Sequence, residues 1–144
     1  MCGIFGYSGK QKAHLILISG LQALEYRGYD SCGIVLSGGG DLFVKKQQGR
    51  IFGLKKALSK IKVPGHKIGI AHTRWATHGS PNKVNAHPHL DCSKKIAVVH
   101  NGIIENYDQL KEKLLKKYFK TKFRELSSIR QIVFLIWTFL YDIL

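Results

Sequence analysis

The chain has 144 residues, 44% hydrophobic and 22% charged, which are the proportions of an ordinary globular domain with enough apolar material for one core. Its 23 Lys and Arg against 9 Asp and Glu give a formal charge of +14, so an anionic partner has to be weighed. Much of the excess falls between Lys111 and Arg130 with no nucleic-acid-binding motif interleaved, and a solvated helix face is the better reading. Cys2, Cys32 and Cys92 are odd in number, far apart and without a Cys-x-x-Cys pair, which argues against a disulfide framework and a zinc knuckle and fits a reducing compartment. No basic region precedes Gly6, and the first apolar stretch, Leu15 to Ile18, is too short for a signal peptide, so a cytosolic location is expected.

The elements follow from periodicity and punctuation. Ile4 to Tyr7 reads as a strand. After a turn at Gly9, Lys12 to Tyr26 carries Leu17, Leu21 and Leu24 at the spacing of a buried helix. Arg27-Gly28-Tyr29-Asp30 breaks that pattern. Ile34 to Leu36 and Leu42 to Lys46, joined through Gly38-Gly39-Gly40-Asp41, form a predicted β-hairpin. Ile51, Leu54, Leu58 and Ile61 mark an amphipathic helix ended by Pro64-Gly65, and Lys67 to His72 follows as a short strand. Thr73 to Asp91 has no apolar periodicity and is rich in Gly, Pro, Asn and His, which predicts a long loop of the kind that carries function. Lys95 to His100 is another strand, leading into Asn101-Gly102, a pair that also suits a two-residue hairpin turn. Asn106, with Gln109 three residues on, caps a helix whose stripe is Leu110, Leu114 and Tyr118, supported by Glu112 and Lys116. Ile132 to Tyr141 is shorter than the roughly 20 residues of a bilayer span and reads as a buried helix, with a membrane-interface segment as the alternative.

Cys2 has distinctive chemistry only once Met1 is removed. It then carries a nucleophilic thiol and a free α-amine, whose reference pKa of about 7.7–8.0 suits a general base; the competing reading is a small buried hydrophobe. A thiolate attacking a carboxamide further needs oxyanion donors, a proton carrier and a clamp on the substrate. Asn101 offers a side-chain amide and Gly102 a backbone N–H that glycine lets approach closely, while Arg74 could fork onto a carboxylate. His72, His78, His87, His89 and His100 raise the question of a metal, with His87-Pro88-His89 the most tempting pair. No carboxylate or thiol falls at ligand spacing, so none is expected.

The strings MCGIFGY, LEYRGYDSCGI, AHTRWATHGSP, VNAHPH and VVHNGIIENYDQL occur in that order. Together they closely resemble the N-terminal glutaminase domain of the glutamine-fructose-6-phosphate aminotransferase (glucosamine-6-phosphate synthase) family, over residues 1 to about 117. Other amidotransferases of this class share the opening Cys, the Arg-Gly turn and His-Asn-Gly, but resemble the segments Tyr26–Asp30 and Thr73–Gly79 less well. The resemblance implies an α+β fold, the four-layer αββα sandwich of the N-terminal-nucleophile hydrolases, here incomplete, with residues 1–117 as the domain and 118–144 as a divergent tail. It implies that Cys2 is the nucleophile and that Asn101 and Gly102 form the oxyanion hole. Arg74 would hold the glutamine α-carboxylate, Trp75, Thr77 and His78 would line the pocket, and Arg27 would sit near the nucleophile. The implied reaction is hydrolysis of glutamine through a γ-glutamyl thioester, with no cofactor and no metal. Fructose 6-phosphate would enter only through a separate synthase part, and the complete enzyme would be a dimer; neither a membrane nor nucleic acid is an expected partner.

Beyond Lys117 the resemblance stops. Where the family has a Ser-Glu-Thr-Asp-Thr-Glu type of segment, whose Asp binds the substrate α-ammonium, this chain reads Phe123-Arg124-Glu125-Leu126-Ser127-Ser128-Ile129, without an aspartate. A charged hydrogen-bonded partner is worth on the order of 2–3 kcal/mol, so weakened substrate binding is expected. The change to a basic and then apolar stretch without motifs leads to the expectation that the residues after about 117 are out of frame or replaced, in a truncated product or one fragment of a split gene.

Overall fold

The structure, a computed structural model, describes residues 1–118 apart from His78 and Cys92, and only the backbone of Lys117 and Tyr118. The expected helix at Ile132 to Tyr141 and the segment Phe123 to Ile129 lie outside the described residues.

Four strands form an antiparallel sheet: β1 (Gly3–Ser8), β2 (Ser31–Gly38), β3 (Asp41–Gln48) and β4 (Ile68–Arg74). Their spatial order is β1-β4-β2-β3, so β4 runs between the first strand and the hairpin. The hairpin turn is set by Gly39 and Gly40, whose φ angles of 65° and 87° match a two-residue turn that needs positive φ at both central positions. The segments expected at Ile4–Tyr7, Ile34–Leu36 and Leu42–Lys46 fall inside β1, β2 and β3, and Lys67–His72 matches β4 except at its first residue; the ladders Ser31↔Gln48 and Ser31↔Arg74 extend the strands past the apolar stretches because backbone pairing on both sides of β2 continues where the side chains turn polar.

One face of the sheet is covered by α1 (Ala13–Leu24) and α2 (Ile51–Ser59). Leu17, Ile18 and Leu21 of α1 and Ile51, Leu54 and Leu58 of α2 close over Cys32, Ile34, Leu36 and Ala71, with Phe5, Tyr7, Phe43 and Val63 packed around them. The sheet residues in this set share a face by register, since Ile34 is paired with Ala71 and Cys32 with Thr73. After α1 the chain makes a 3₁₀ turn, Glu25–Arg27, which places the Glu25 carboxylate to accept the Ile51 N–H at 2.9 Å. The N-cap residue of α2, Arg50, makes no side-chain cap bond, so a carboxylate from 26 residues away satisfies the first turn and sits favourably at the positive end of the helix.

Two expectations change in the segment after β4. The long loop begins at Trp75 rather than Thr73, because Thr73 and Arg74 still pair with β2, and it ends in a short strand, β5 (His89–Leu90). The strand expected at Lys95 to His100 shrinks to β6 (Ala97–Val98), paired with β5. The Asp91 carboxylate accepts the N–H groups of Ser93 at 3.0 Å and of Lys95 and Ile96 at 2.8 Å each, and this local turn takes the backbone donors that a longer strand would need.

Residues Met1–Asn101 make one compact unit, and a second begins at Gly102. The described part of the second holds α3 (Tyr107–Tyr118), whose Leu114 is buried and whose first turn carries Asp108. No helix among the described residues is long and apolar enough to cross a membrane.

Candidate active site

The sheet face turned away from α1 and α2 is apolar at Val35 and its partners Ile70 and Val44 and becomes polar toward the end of β4. Alternation along β4 puts Ala71 and Thr73 on the helix side and His72 and Arg74 on the other, where the register pairs them with Gly33 and Ser31. Ser31, His72 and Arg74 are all buried there, an unusual concentration of polar side chains for a sheet interior. Gly33 lets the loop in: a Cβ at that position would lie 2.3 Å from the His87 carbonyl oxygen.

The edge pairing of β1 with β4 fixes the place of Cys2. Gly3 is opposite Thr73, and the Gly3 N–H donates to the Thr73 hydroxyl at 3.2 Å, which pins the start of the strand. Cys2 therefore lies beside the residue that follows β4. The Trp75 N–H donates to Cys2 Sγ at 3.4 Å, and the thiol donates to the Trp75 carbonyl at 3.7 Å. The Arg-Gly-Tyr-Asp turn supports that peptide from behind. A Cβ on Gly28 would lie 2.6–2.8 Å from backbone atoms of Arg74 and Trp75, so only glycine permits the approach. The Asp30 N–H donates to the Arg74 carbonyl at 3.0 Å, and its carboxylate accepts the Ala76 N–H. Tyr29 meets Trp75 edge-on with ring centroids 5.4 Å apart. The Arg74 guanidinium donates to the carbonyls of Ser80 at 3.3 Å and Gly79 at 3.4 Å, which aims its fork into the loop.

Asn101 closes the group from the far end of the unit. Its Nδ2 donates to the Cys2 carbonyl at 3.1 Å, and its Oδ1 lies 2.8 Å from His72 Nε2. His72 stacks on His87 at 4.3 Å between centroids, and His87 meets His89 edge-on at 4.2 Å. Burial lowers the His72 pKa to about 4, against the opposing pull of its bond to Asn101; burial, then the neighbouring His89 and His72, lowers that of His87 to about 2. Both rings are neutral at ordinary pH. The rings pack face to face and edge to face, and among the described residues no group of three His, Cys, Asp or Glu could hold a metal ion.

Of the residues singled out in the sequence, the fold brings Cys2, Trp75 and Asn101 into contact, with Arg74 next in the chain. Arg27 is half-buried and reaches the Met1 sulfur at 3.7 Å, beside Cys2. Thr77 is exposed, and His78 lies outside the described residues. Gly102 opens the second unit with φ at 141°, a conformation glycine favours. Asn101-Gly102 joins no hairpin among the described residues. Sequence reading gave no role to His72, Asp30 or Thr73. The polar residues interrupting the apolar run of β4 were the available signal for His72 and Thr73, and the Asp closing the Arg-Gly-Tyr-Asp turn was the signal for Asp30.

No protein-family profile matches the chain. Its sequence is 58% identical over 117 residues to the glutamine-fructose-6-phosphate aminotransferase (isomerizing) of Pyrococcus horikoshii, covering 81% of this chain and 19% of that protein. It is 55% identical over 123 residues to the enzyme of the same name from Bacteroides thetaiotaomicron, covering 85% and 20%. The chain thus spans about a fifth of the length of these relatives. Among solved structures, the glutamine phosphoribosylpyrophosphate amidotransferase of B. subtilis is similar at a TM-score of 0.71 and 31% identity, over 94% of this chain and 28% of that one. An allosteric regulatory enzyme of purine biosynthesis is similar at a TM-score of 0.73 and 33% identity, over 92% and 28%.

Proposed function

We propose that this chain, which has the fold of the N-terminal-nucleophile glutamine amidotransferases and matches the N-terminal region of glutamine-fructose-6-phosphate aminotransferase, is the glutaminase part of such an enzyme. The observation that carries the reading is the meeting of three distant segments at one residue: the Trp75 peptide on the Cys2 thiol and the Asn101 amide on the Cys2 carbonyl. Nothing in the packing of a small hydrophobe calls for a carboxamide brought 99 residues along the chain.

Removal of Met1 frees the Cys2 α-amine. The thiol proton passes to that amine as sulfur attacks the glutamine carboxamide carbon, and the oxyanion of the tetrahedral intermediate accepts hydrogen bonds from Asn101 Nδ2 and, by resemblance, the Gly102 N–H. The amine returns the proton to the leaving nitrogen, ammonia departs, and a γ-glutamyl thioester remains. Water then attacks the thioester, giving glutamate and free thiol. Arg74, buried at the end of β4, orients the substrate through its α-carboxylate; Trp75, Thr77 and His78 line the pocket, and Arg27 flanks the nucleophile. The ammonia serves glucosamine 6-phosphate synthesis from fructose 6-phosphate in a synthase part, in a dimeric cytoplasmic enzyme. Identities of 58% and 55% to the aminotransferases, against 31% and 33% to the solved amidotransferase structures, favour this acceptor over phosphoribosyl pyrophosphate. In this reading residues 1–117 are the N-terminal part of the glutaminase domain, and 118–144 are a divergent tail.

The test is release of glutamate from glutamine by the Met1-free protein and its Cys2→Ala variant. Turnover is expected in the first and loss to background in the second. Turnover that survives Cys2→Ala would remove the mechanism. Salt-dependent nucleic-acid binding with no glutaminase activity would instead favour a basic, non-catalytic descendant of the scaffold.

A further inference from the structure

We infer that His72 is a positioning residue for the oxyanion donor: as a neutral imidazole protonated on Nε2, it fixes which way round the Asn101 amide stands. This deepens the glutaminase reading and rests on it for its catalytic consequence. The argument is one of donors and acceptors. The Cys2 carbonyl can only accept, so the Asn101 atom 3.1 Å from it is the amide nitrogen. The carboxamide oxygen then faces His72 Nε2 at 2.8 Å, and because that oxygen can only accept, Nε2 must carry the proton. Rotating the Asn101 amide by half a turn would set oxygen against the Cys2 carbonyl oxygen, and the buried imidazole would have to give up its Nε2 proton to accept from the amide nitrogen. The amide therefore has one orientation, and it is the one with its N–H₂ on the nucleophile's side.

The ring is itself held. His72 is wholly buried, and His87 stacks on it at 4.3 Å. Its Nδ1 is buried with no hydrogen-bond partner; the His100 backbone lies near enough to favour the protonated ring, but burial outweighs it. The charged or titratable groups facing the ring are Arg74, on the same strand, His87, stacked on it, and His100, beside Asn101; Arg74 and His100 both disfavour a second proton. An imidazolium could still donate from Nε2, so neutrality matters less for the bond than for keeping a second positive charge out of this face. What the site requires from position 72 is a rigid N–H at the Nε2 position.

Two measurements on the full Met1-free chain decide the matter separately. The first needs no turnover: long-range ¹H–¹⁵N correlation of the His72 ring is expected to show the neutral Nε2–H form from pH 6 to 8, with the Asn101 side-chain amide protons slow to exchange. A ring protonated on Nδ1 would overturn the inference whatever the protein's activity. The second is the rate at which a γ-electrophilic glutamine analogue alkylates Cys2. His72→Leu is expected to slow the maximal rate on the order of tenfold with unchanged half-saturation, less than the roughly 10²–10³-fold cost of losing an oxyanion donor outright. His72→Gln, which keeps an N–H of similar reach, should recover most of the rate. His72→Leu should add nothing in an Asn101→Ala background, because the residue acts through that amide. An additive loss would show a merely structural role and sink the inference. Absence of both labelling and turnover in the unsubstituted chain would count against the glutaminase reading instead, and leave the ring's protonation to decide on His72.

Discussion

The two faces of the four-stranded sheet are built from the same strands by opposite means. On the helix side, Cys32, Ile34, Leu36 and Ala71 meet α1 and α2 through apolar contact, which has no direction and is measured in area and volume. On the other side, Ser31, His72 and Arg74 are just as buried, and His72 and Arg74 are placed by hydrogen bonds to Asn101, Gly79 and Ser80, in which each atom must be the right donor or acceptor. A strand such as β4 serves both, residue by residue. Stability is concentrated on one face and chemistry on the other, so substitutions on the two should fail differently.

The thiols give the sharpest contrast. Burial, then the Glu25 carboxylate, pushes the Cys32 thiol up to about 12, which leaves a thiolate fraction on the order of 10⁻⁴ at pH 8. An alkylating reagent is therefore expected to modify Cys2 at least about a hundredfold faster than Cys32 in the native chain, read by peptide mass spectrometry, and the difference should vanish in denaturant. Equal native rates would mean that the helix side is not sealed.

Leu21 of α1 is fully buried against the sheet, and Leu21→Ala should cost about 2–5 kcal/mol in urea unfolding while leaving Cys2 alkylation per folded molecule unchanged. A parallel loss of reactivity would show that the two faces are coupled. Acidification probes the polar side. With their pKa values lowered to about 4 and about 2, His72 and His87 bind fewer protons folded than unfolded. Their contribution is therefore complete above the ordinary value of 6.5 and is lost as pH falls from there toward 4, with His87 continuing below. The urea midpoint should drop between pH 7 and 4.5 by the equivalent of a few kcal/mol, on the order of what such shifts imply. A flat profile would mean that the rings are hydrated. The smallest effect is expected at Glu25. Removing its cap on α2 with Glu25→Ala should cost about 1 kcal/mol, and Glu25→Gln, which keeps an acceptor, less, both read by urea unfolding.

Much of the helix side was legible in the sequence. Leu17 and Leu21, Ile51, Leu54 and Leu58, and the Gly39-Gly40 turn all follow from local periodicity and backbone preference, and the structure has them where the pattern puts them. The polar side was legible only as an inventory. Cys2, Arg74 and Asn101 stood out by type and by the strings that contain them, while His72 read as one more histidine in an apolar strand. Its importance depends on which residue lies across from it, and a polar residue's partner is set by sheet register and loop path.

What the sequence by itself determined is the elements up to β4 and the chemical vocabulary of the first 117 residues, because helical and strand periods, glycine turns and nucleophile-bearing strings are all local. Only the tertiary structure decided that β4 runs between β1 and β2, and with it that the Trp75 peptide meets the Cys2 thiol and that Asn101 spans from His72 to Cys2. The physical reason is that burying apolar area constrains each element separately, whereas satisfying a buried donor or acceptor constrains two at once, and the second residue can lie 99 positions away.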